Sequence, residues 1–393
     1  MSFWLARYHG FTDWLCRSAL LRRKIAPSRI QGFWDEPWQR ALPFAGGTRE
    51  MRTTWFHAAS AGELEILIPL IQELHEKGIP IGVSVFSESA LPSLSKLPEG
   101  LLYAGFSPRE SRWKALLAEY RAERVIVAKY EAWPGLWAAC SSLDVPLLLI
   151  NAQERRSLRW VRRFLKLFSV PPPRLYLFTA DESQSKALQR RWPSAKIEAM
   201  PDPRWTRIIR RTEGALQHSR VRHYRDLHAQ APHPYGMVGS AWLEDLKYLV
   251  PAFRSTEGTL WVVPHSLTAE NLQAMREFLE REIPGRFVLV DEMGILAELY
   301  ALADWVWVGG GFGKGIHSTM EPAVYGIPIG CGPARVDEFF ETKELRKHGL
   351  LTVCRDEAAT FAWLKAFQEV KPLALAEKTE GFSRWVAQCL QIR

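Results

Sequence analysis

The chain has 393 residues, of which 47% are hydrophobic and 24% are charged. At about 100 to 200 residues per domain, this length predicts two or three hydrophobic cores. The composition excludes a disordered chain, a collagen-like repeat and a polytopic membrane protein. Five cysteines lie far apart and never in a CxxC spacing. We therefore expect neither a disulfide framework nor a cysteine zinc site, and a reducing compartment.

Positive charge is concentrated in the first 24 residues, which hold half of the formal net charge of +8. The basic side chains there alternate with Trp, Phe and Leu, a combination that favours a helix lying in a membrane interface. The alternative is an ordinary first helix packed on the domain. The sequence has no run of about 18 apolar residues and no signal peptide, so we predict no spanning helix.

Short apolar runs alternate with helical patterns from residue 53 onward. The first run, 53–58, ends in a Ser-Ala-Gly turn and is followed by a helical pattern over 64–76. Further strands are predicted at 81–86, 101–106, 124–128, 146–150 and 175–179, and helices at 109–120, 157–168 and 182–191. This alternation predicts a parallel sheet with helices on both faces.

A second alternating half follows a proline-rich and arginine-rich stretch near 200–235. Its strands are predicted at 236–239, 260–263, 287–290, 305–308 and 328–330, and a helix is predicted to begin near Ser318. The basic run over 204–225, ahead of this half, is also helix-like. We predict an α/β fold of two Rossmann-like, doubly wound domains facing one another across a cleft. The predicted segments are an interface helix at 1–24, a first domain at 25–208, a crossover at 209–235, a second domain at 236–375 and a helical tail at 376–393.

The turn after the first strand is the first candidate site, because ligands of open parallel sheets bind beyond the carboxyl ends of the strands. Gly62 lets a ligand approach the backbone, and Glu63 stands at a helix start, where the helix dipole favours a carboxylate. Two interpretations are open: Glu63 caps the helix, or it acts as a general base.

The second candidate site is the turn over 309–322, which has five glycines in its first seven residues. Such a turn exposes backbone N–H groups to an anion, as a nucleotide phosphate requires, and Glu321 could accept hydrogen bonds from sugar hydroxyls. The alternative is a turn that serves tight packing only. It is not a Walker A loop, and no Asp, Glu and His cluster has metal-ligand spacing, so no metal is expected.

A carboxylate on one half and a phosphate cradle on the other predict a nucleotide-sugar glycosyltransferase of the GT-B class. The motifs that carry a closer resemblance are 56–63 with its SxGE ending, 129–134 (Lys-Tyr-Glu-Ala-Trp-Pro), 151–152, 239–240, 263–265, 293–294 and 309–322. Jointly and in this order they resemble the 3-deoxy-D-manno-octulosonic acid (Kdo) transferases of lipopolysaccharide synthesis. The chain departs from that family at Ser318, where Asn is common, at 201–203, and over 240–244, which lacks the usual Thr-His pair.

The resemblance implies inverting transfer of Kdo from CMP-Kdo to a lipid A precursor of the lipid IVA type. The enzyme would work at the cytoplasmic face of the inner membrane, with the N-terminal helix on the membrane surface and no cofactor besides the donor. Glu63 would be the catalytic base. The implied acceptor-binding residues are Ser60, Gly62, Lys129, Glu131, Arg155 and Arg156. The implied nucleotide-sugar-binding residues are Ser240, Pro264, His265, Gly294, Gly310, Gly311, Phe312, His317, Ser318 and Glu321.

Two other functions fit parts of the sequence. A GT-B glycosyltransferase or epimerase could use another sugar nucleotide, because a fold does not fix a function. The pI near 9.2 and the arginines of 204–225 also suit a protein that binds nucleic acid or an anionic surface. No recognised nucleic-acid motif accompanies those arginines, so we predict no nucleic-acid partner.

Overall fold

The computed structural model describes residues 51–129, 131–180, 182–366 and 375–392. The predicted interface helix at 1–24 lies outside these residues. The chain divides into two compact units. The first holds the described residues up to Thr206 and those from Glu377 on, and the second spans Arg207–Ala376. Each unit is described by itself.

The first unit is built on a parallel sheet of seven strands in the order β3-β2-β1-β4-β5-β6-β7 over the residues described. The strands are β1 (Thr53–Ala58), β2 (Ile81–Val85), β3 (Tyr103–Phe106), β4 (Ala122–Ala128), β5 (Leu147–Ile150), β6 (Leu175–Thr179) and β7 (Lys196–Ala199). The helices are α1 (Ala61–Glu76), α2 (Leu91–Leu94), α3 (Trp113–Glu119), α4 (Pro134–Leu143), α5 (Arg156–Leu167) and α6 (Glu182–Arg191).

Both faces of this sheet are buried except at the edge strand β7, which explains why the inner strand β5 is apolar at every position. Successive residues of β1 point to opposite faces: Trp55 packs in one core with α3 and α4, and Phe56 packs in the other with α1. The second core is completed from the far end of the chain by the helix Leu375–Gln391, where Trp385 lies edge-on to Phe178 at 5.2 Å.

The second unit has a six-stranded parallel sheet in the order β10-β9-β8-β11-β12-β13. Its strands are β8 (Tyr235–Ala241), β9 (Thr259–Pro264), β10 (Phe287–Leu289), β11 (Trp305–Val308), β12 (Ile329–Cys331) and β13 (Leu351–Val353). In chain order the remaining helices are α7 (Arg204–Thr212), α8 (Ser219–Leu227), α9 (Leu243–Phe253), α10 (Ala269–Glu282), α11 (Leu296–Leu299), α12 (Met320–Ala323), α13 (Phe340–Lys347), α14 (Glu357–Ala366) and α15 (Leu375–Gln391). The first of them, α7, begins in the first unit and ends in the second.

The structure differs from the predicted elements at two functional segments. The arginine-rich run of 204–225 forms two helices, because Gly214 adopts a left-handed φ of 69° between them. The helix expected from about residue 318 is only four residues long and holds Pro322. Within the described ranges, no helix is long and apolar enough to cross a membrane.

Candidate active site

The order of the first sheet reverses between β1 and β4, which lie side by side and parallel. Such a topological switch point is where an open α/β sheet leaves a crevice beyond its strand ends. The loop after β1 carries Ser60 and leads into α1 with Glu63, and the loop after β4 carries Lys129 and Glu131. The sequence therefore brings two predicted carboxylates to one edge of one sheet.

Glu63 lies in the first turn of α1 and is only 8% exposed. Its Oε2 atom is buried without a hydrogen-bond partner among the described residues. Ser60 is the N-cap residue, but its side chain makes no capping hydrogen bond. A Cβ at Gly62 would meet nothing nearer than the Ser60 hydroxyl at 3.9 Å, so packing does not require glycine there. The Ser60 side chain thus leaves the start of α1 uncapped, and Glu63 combines a place in the first turn with one carboxylate oxygen that has no partner among the described residues.

Glu131 is buried beside Glu63. The pKa of Glu131 is raised to about 7, chiefly by burial and also by the charge of Glu63, while the Trp133 hydrogen bond and Lys129 act in the opposite direction. The Trp133 indole donates to Glu131 Oε2 at 2.6 Å. At neutral pH, one member of this carboxyl pair is therefore partly protonated.

Two aromatic contacts fix Trp133 at the site. Its ring lies 4.5 Å from that of Phe86 and edge-on to that of His57 at 5.7 Å. Burial lowers the pKa of His57 to about 3, against the effect of its hydrogen bond with Ser84. The imidazole is therefore neutral at physiological pH.

Hydrogen bonds and an ion pair link Asn151 and Asp202, in the loops after β5 and β7, to Arg204 at the start of α7. Of these three residues, only Asn151 belongs to a motif that the sequence analysis singled out. Asn151, with a left-handed φ of 52°, donates from Nδ2 to Asp202 Oδ2 at 2.8 Å. Burial alone would raise the pKa of Asp202, but its pairing with Arg204 at 2.7 Å and the charge of Lys129 lower it. Asp202 comes from the segment that departs from the family, and nothing local in the sequence linked it to Asn151.

The predicted acceptor residues Arg155 and Arg156 stand at the start of α5, and both are exposed. The loop before them is tied to the β4 loop, because Gln153 N–H donates to the Lys129 carbonyl. The start of α5, with Arg155 and Arg156, thus lies near the sheet edge that carries Glu63 and Glu131.

The second sheet also reverses its order, between β8 and β11. Ser240, the residue before the last one of β8, has a left-handed φ of 50°, and the glycine-rich turn follows β11. Asp245 in α9 connects the two: its Oδ2 accepts from Gly310 N–H at 2.7 Å and from Trp242 N–H at 3.2 Å. Burial raises the pKa of Asp245, and these N–H groups oppose that effect. Sequence reasoning missed Asp245.

The glycines of the turn have different causes. A Cβ at Gly309 would lie 2.3 Å from the Ser240 carbonyl oxygen, and one at Gly311 would lie 2.4 Å from Gly332 N. Gly310 has a φ of 88°, which also favours glycine. A Cβ at Gly313, in contrast, would meet nothing within 4 Å. Packing therefore accounts for 309 to 311 and leaves Gly313 without a structural reason.

Glu321 is held by an arginine from the run that was assigned to the crossover. Arg211 pairs with both carboxylate oxygens of Glu298 at 2.7 and 3.0 Å, donates to the Gly294 carbonyl at 3.1 Å and lies 3.9 Å from Glu321. Burial raises the pKa of Glu321, with Arg211 opposing. Sequence reasoning missed Arg211, because its partners Gly294 and Glu298 lie 83 and 87 residues away and Glu321 lies still farther along the chain.

The predicted histidines form one stacked group with a residue that was not predicted. The His265 and His317 rings stack at 4.5 Å, and Trp242 stacks on His265 at 4.6 Å. His265 follows Pro264, which ends β9, and Ser318 is exposed beside His317. The Phe312 ring stacks on Tyr248 at 3.8 Å, so its side chain is already engaged in packing.

Comparison with known proteins assigns relatives to this chain. Residues 34–205 match the family model of 3-deoxy-D-manno-octulosonic-acid transferase (kdotransferase). A 3-deoxy-D-manno-octulosonic acid transferase of Chlamydia pneumoniae is 25% identical over 81% of this chain and 78% of its own length. One of Aquifex aeolicus is 24% identical over 71% of this chain and 75% of its own length. The resemblance predicted from the motifs is thus confirmed, and these relatives indicate a glycosyltransferase.

Solved structures of other proteins share the fold. UDP-GlcNAc 2-epimerase of Methanocaldococcus jannaschii matches 87% of this chain and all of its own with a TM-score of 0.62 at 13% identity. MurG of Acinetobacter baumannii matches 86% of this chain and 99% of its own with a TM-score of 0.55 at 14% identity. These likenesses confirm the predicted GT-B fold class with its two parallel-sheet α/β units, and nothing more.

Proposed function

We propose that this relative of the Kdo transferases moves Kdo from CMP-Kdo to a sugar hydroxyl of a lipid A precursor of the lipid IVA type. The names of the curated relatives support the donor sugar and the reaction class. The observation that carries the catalytic assignment is Glu63, a buried carboxylate with an unpartnered oxygen at the switch point of the first sheet.

In the proposed reaction, Glu63 Oε2 takes the proton of the acceptor hydroxyl. The hydroxyl oxygen then forms a bond to the anomeric carbon of Kdo while the bond from that carbon to the phosphate oxygen of CMP breaks, so that the configuration inverts. The protonated form of Glu131 supports this step, because a neutral neighbour adds no charge beside a carboxylate that acts as a base.

The second unit would hold the nucleotide. The turn around Gly313 offers backbone N–H groups to the phosphate, and Lys314 adds a positive charge where the leaving CMP gathers negative charge. Glu321, oriented by Arg211, would accept hydrogen bonds from sugar hydroxyls. Ser240, His265, Gly294 and His317 complete the proposed set.

We place the work of the enzyme at the cytoplasmic face of the inner membrane, and α5 supports a membrane contact. This helix exposes Trp160 by 51% and Leu167 by 75%. Arg156, Arg163 and Lys166 are exposed on the same helix. Exposed Trp and Leu among basic side chains suit an anionic lipid surface. Vesicles with anionic lipid should bind the protein, and Trp160→Ala with Leu167→Ala should weaken that binding, whereas exposed Leu227→Ala in α8 should not.

The decisive experiment incubates the protein with CMP-Kdo and a tetra-acylated lipid A precursor and reads the product mass. We expect a gain of one or more Kdo units. Glu63→Gln should lower turnover by about 10²- to 10⁴-fold, because it removes the base, while CMP binding stays unchanged. Glu65→Gln on the same helix, whose carboxylate pairs with Lys96, is the matched control.

Three outcomes have different meanings. Near-normal turnover of Glu63→Gln would overturn the role of that residue. If the unaltered protein and both variants bind CMP but form no product, the proposed acceptor is wrong and the proposed donor stands. Absence of CMP binding would overturn the donor as well.

A further inference from the structure

Trp242 contacts two of the predicted nucleotide-binding histidines, and the site assigned above gives it no function. Its indole Nε1 donates a hydrogen bond to His317 Nε2 at 3.1 Å. The His265 ring stacks on the Trp242 ring and also on the His317 ring. Trp242 is held in turn by its own N–H, which donates to the buried Asp245.

The direction of this bond determines the protonation of His317. An indole nitrogen can only donate, so His317 Nε2 must accept and cannot carry a proton. A neutral imidazole has one N–H, which must then be on Nδ1. A protonated imidazole carries N–H on both nitrogens and would lose the bond. The Trp242 contact therefore favours one tautomer of the neutral ring over both other forms.

Burial and one neighbouring ring act on His317 in the same direction as this bond, and three charged groups lie around the turn. Burial lowers the pKa of His317, and His265 lowers it further. The Lys314 ammonium lies 4.7 Å from the centre of the Trp242 ring, and a second cation, Arg335, packs against Gly315 of the same turn. Asp245 is the carboxylate of this group, and its Oδ2 is engaged by the backbone N–H groups of Gly310 and Trp242.

We propose that Trp242 is a positioning residue that keeps His317 neutral with its proton on Nδ1, so that Nδ1–H is the donor that His317 offers to the phosphate of the bound nucleotide. The tautomer follows from the hydrogen bond in the second unit alone. The hydrogen bond from His317 Nδ1–H to a nucleotide phosphate rests on the function proposed above. The cations of the turn then supply charge, and His317 supplies a directed hydrogen bond.

Imidazole nitrogen shifts measured by ¹H–¹⁵N NMR on the uniformly labelled full chain test the tautomer without any ligand. His317→Gln identifies the resonance among the ten histidines. We expect the Nδ1–H pattern for His317 in the unaltered protein. In Trp242→Phe, which keeps a ring and removes the donor, we expect the Nε2–H form to appear. The His317 pKa should also rise by about half a unit to one unit, since the neutral form loses one hydrogen bond.

His265→Gln is the matched control, because it removes the neighbouring imidazole and leaves the indole bond. It should raise the His317 pKa and leave the Nδ1–H pattern unchanged. A predominantly Nε2–H ring in the unaltered protein, or a tautomer that Trp242→Phe does not alter, would overturn the proposal. The first of these readings does not need Trp242→Phe, so the test survives a Trp242→Phe protein that fails to fold.

The use of the tautomer is tested by CMP titration at two pH values. At pH 8, Trp242→Phe should bind CMP about 3- to 10-fold more weakly, because the correct donor is less populated. At a pH below the His317 pKa of the variant, which the NMR titration gives, the loss should shrink, since a protonated His317 again has N–H on Nδ1. A loss that is equal at both pH values would reduce Trp242 to a packing residue. An Nδ1–H tautomer in a protein that does not bind CMP would instead contradict the proposed donor and leave the tautomer standing.

Discussion

At the scale of single residues, the first unit places two carboxyl groups where only one can easily be charged. Glu63 has the unpartnered oxygen, and Glu131 has the raised pKa and the Trp133 hydrogen bond. The two groups thus differ in environment, which is the usual way in which a pair of carboxyls takes different roles. The consequence can be measured as a dependence of stability on pH.

We predict that Glu131→Gln becomes more stable than the unaltered protein as pH rises. The folded-state pKa of about 7 lies above the ordinary value of 4.5, so between these values the folded state binds more protons than the unfolded state. The stability of the unaltered protein therefore falls across this window, by at most about 1.4 kcal/mol per pH unit from this group. Glutamine can still accept the Trp133 hydrogen bond and carries no charge.

Urea unfolding of both proteins at pH 5, 6, 7 and 8 measures the effect. The difference should grow up to about pH 7 and then level off. Glu76→Gln, which removes an exposed carboxylate of α1, should show no such growth. A difference for Glu131→Gln that stays constant from pH 5 to pH 8 would contradict the prediction. Glu110, whose pKa burial also raises to about 7 against its Gly135 hydrogen bond, is present in every variant and cancels.

The residues that could be predicted were those with a local signal. Glu63 follows a strand and a Ser-Ala-Gly turn, so its position beyond the end of a strand could be predicted from the sequence. Asp245 looked like any acid in a first helical turn, because its partner Gly310 is 65 residues away. Arg211 was one arginine in a basic run until the fold paired it with Glu298. Such partners depend on tertiary structure, which one sequence does not display.

At the scale of elements, the glycine-rich turn separates packing from ligand binding. We predict that Gly311→Ala destabilises the second unit by about 1 to 3 kcal/mol. Its Cβ would lie 2.4 Å from Gly332 N and 2.6 Å from Gly332 Cα, and backbone atoms cannot move aside as a flexible side chain can. Gly313→Ala, which meets no atom within 4 Å, should change stability by less than about 0.5 kcal/mol.

Thermal unfolding and CMP titration of the two variants distinguish the causes. Gly313→Ala should keep the unfolding temperature and weaken CMP binding several-fold, since a methyl group would occupy space at the proposed phosphate. Equal losses of stability in both variants would contradict the packing argument. Unchanged CMP affinity in Gly313→Ala would remove that residue from the phosphate site.

The elements themselves were predictable where burial is complete. β1, β6 and β11 were predicted with their observed bounds, because each is a short buried run beside a turn. β7 was missed: it is an edge strand with exposed Lys196 and Glu198, so it lacks the apolar signal. The early break between α7 and α8 was also missed, since charged residues dominate the pattern on both sides of Gly214.

At the scale of the whole molecule, one design occurs twice. Each unit is a parallel sheet whose strand order reverses at a switch point, and each switch point carries the residues singled out from the sequence. The same fold class also serves UDP-GlcNAc 2-epimerases, as the solved structures show. The fold therefore leaves the nucleotide undecided, and the nucleotide is what separates the proposed transferase from its nearest alternative.

We predict that CMP raises the unfolding temperature more than UDP or GDP at equal concentration. A ligand that binds only the folded state stabilises it by RT ln(1 + [L]/Kd), which is about 2.7 kcal/mol when the ligand is at 100 times its Kd. Differential scanning fluorimetry with each nucleotide measures the order. Glu321→Gln should remove most of the CMP effect, whereas Glu270→Gln, an exposed first-turn acid of α10, should not. A larger effect of UDP would direct the search to UDP-sugar donors and to epimerase activity, because the site would then select a different base on the same fold.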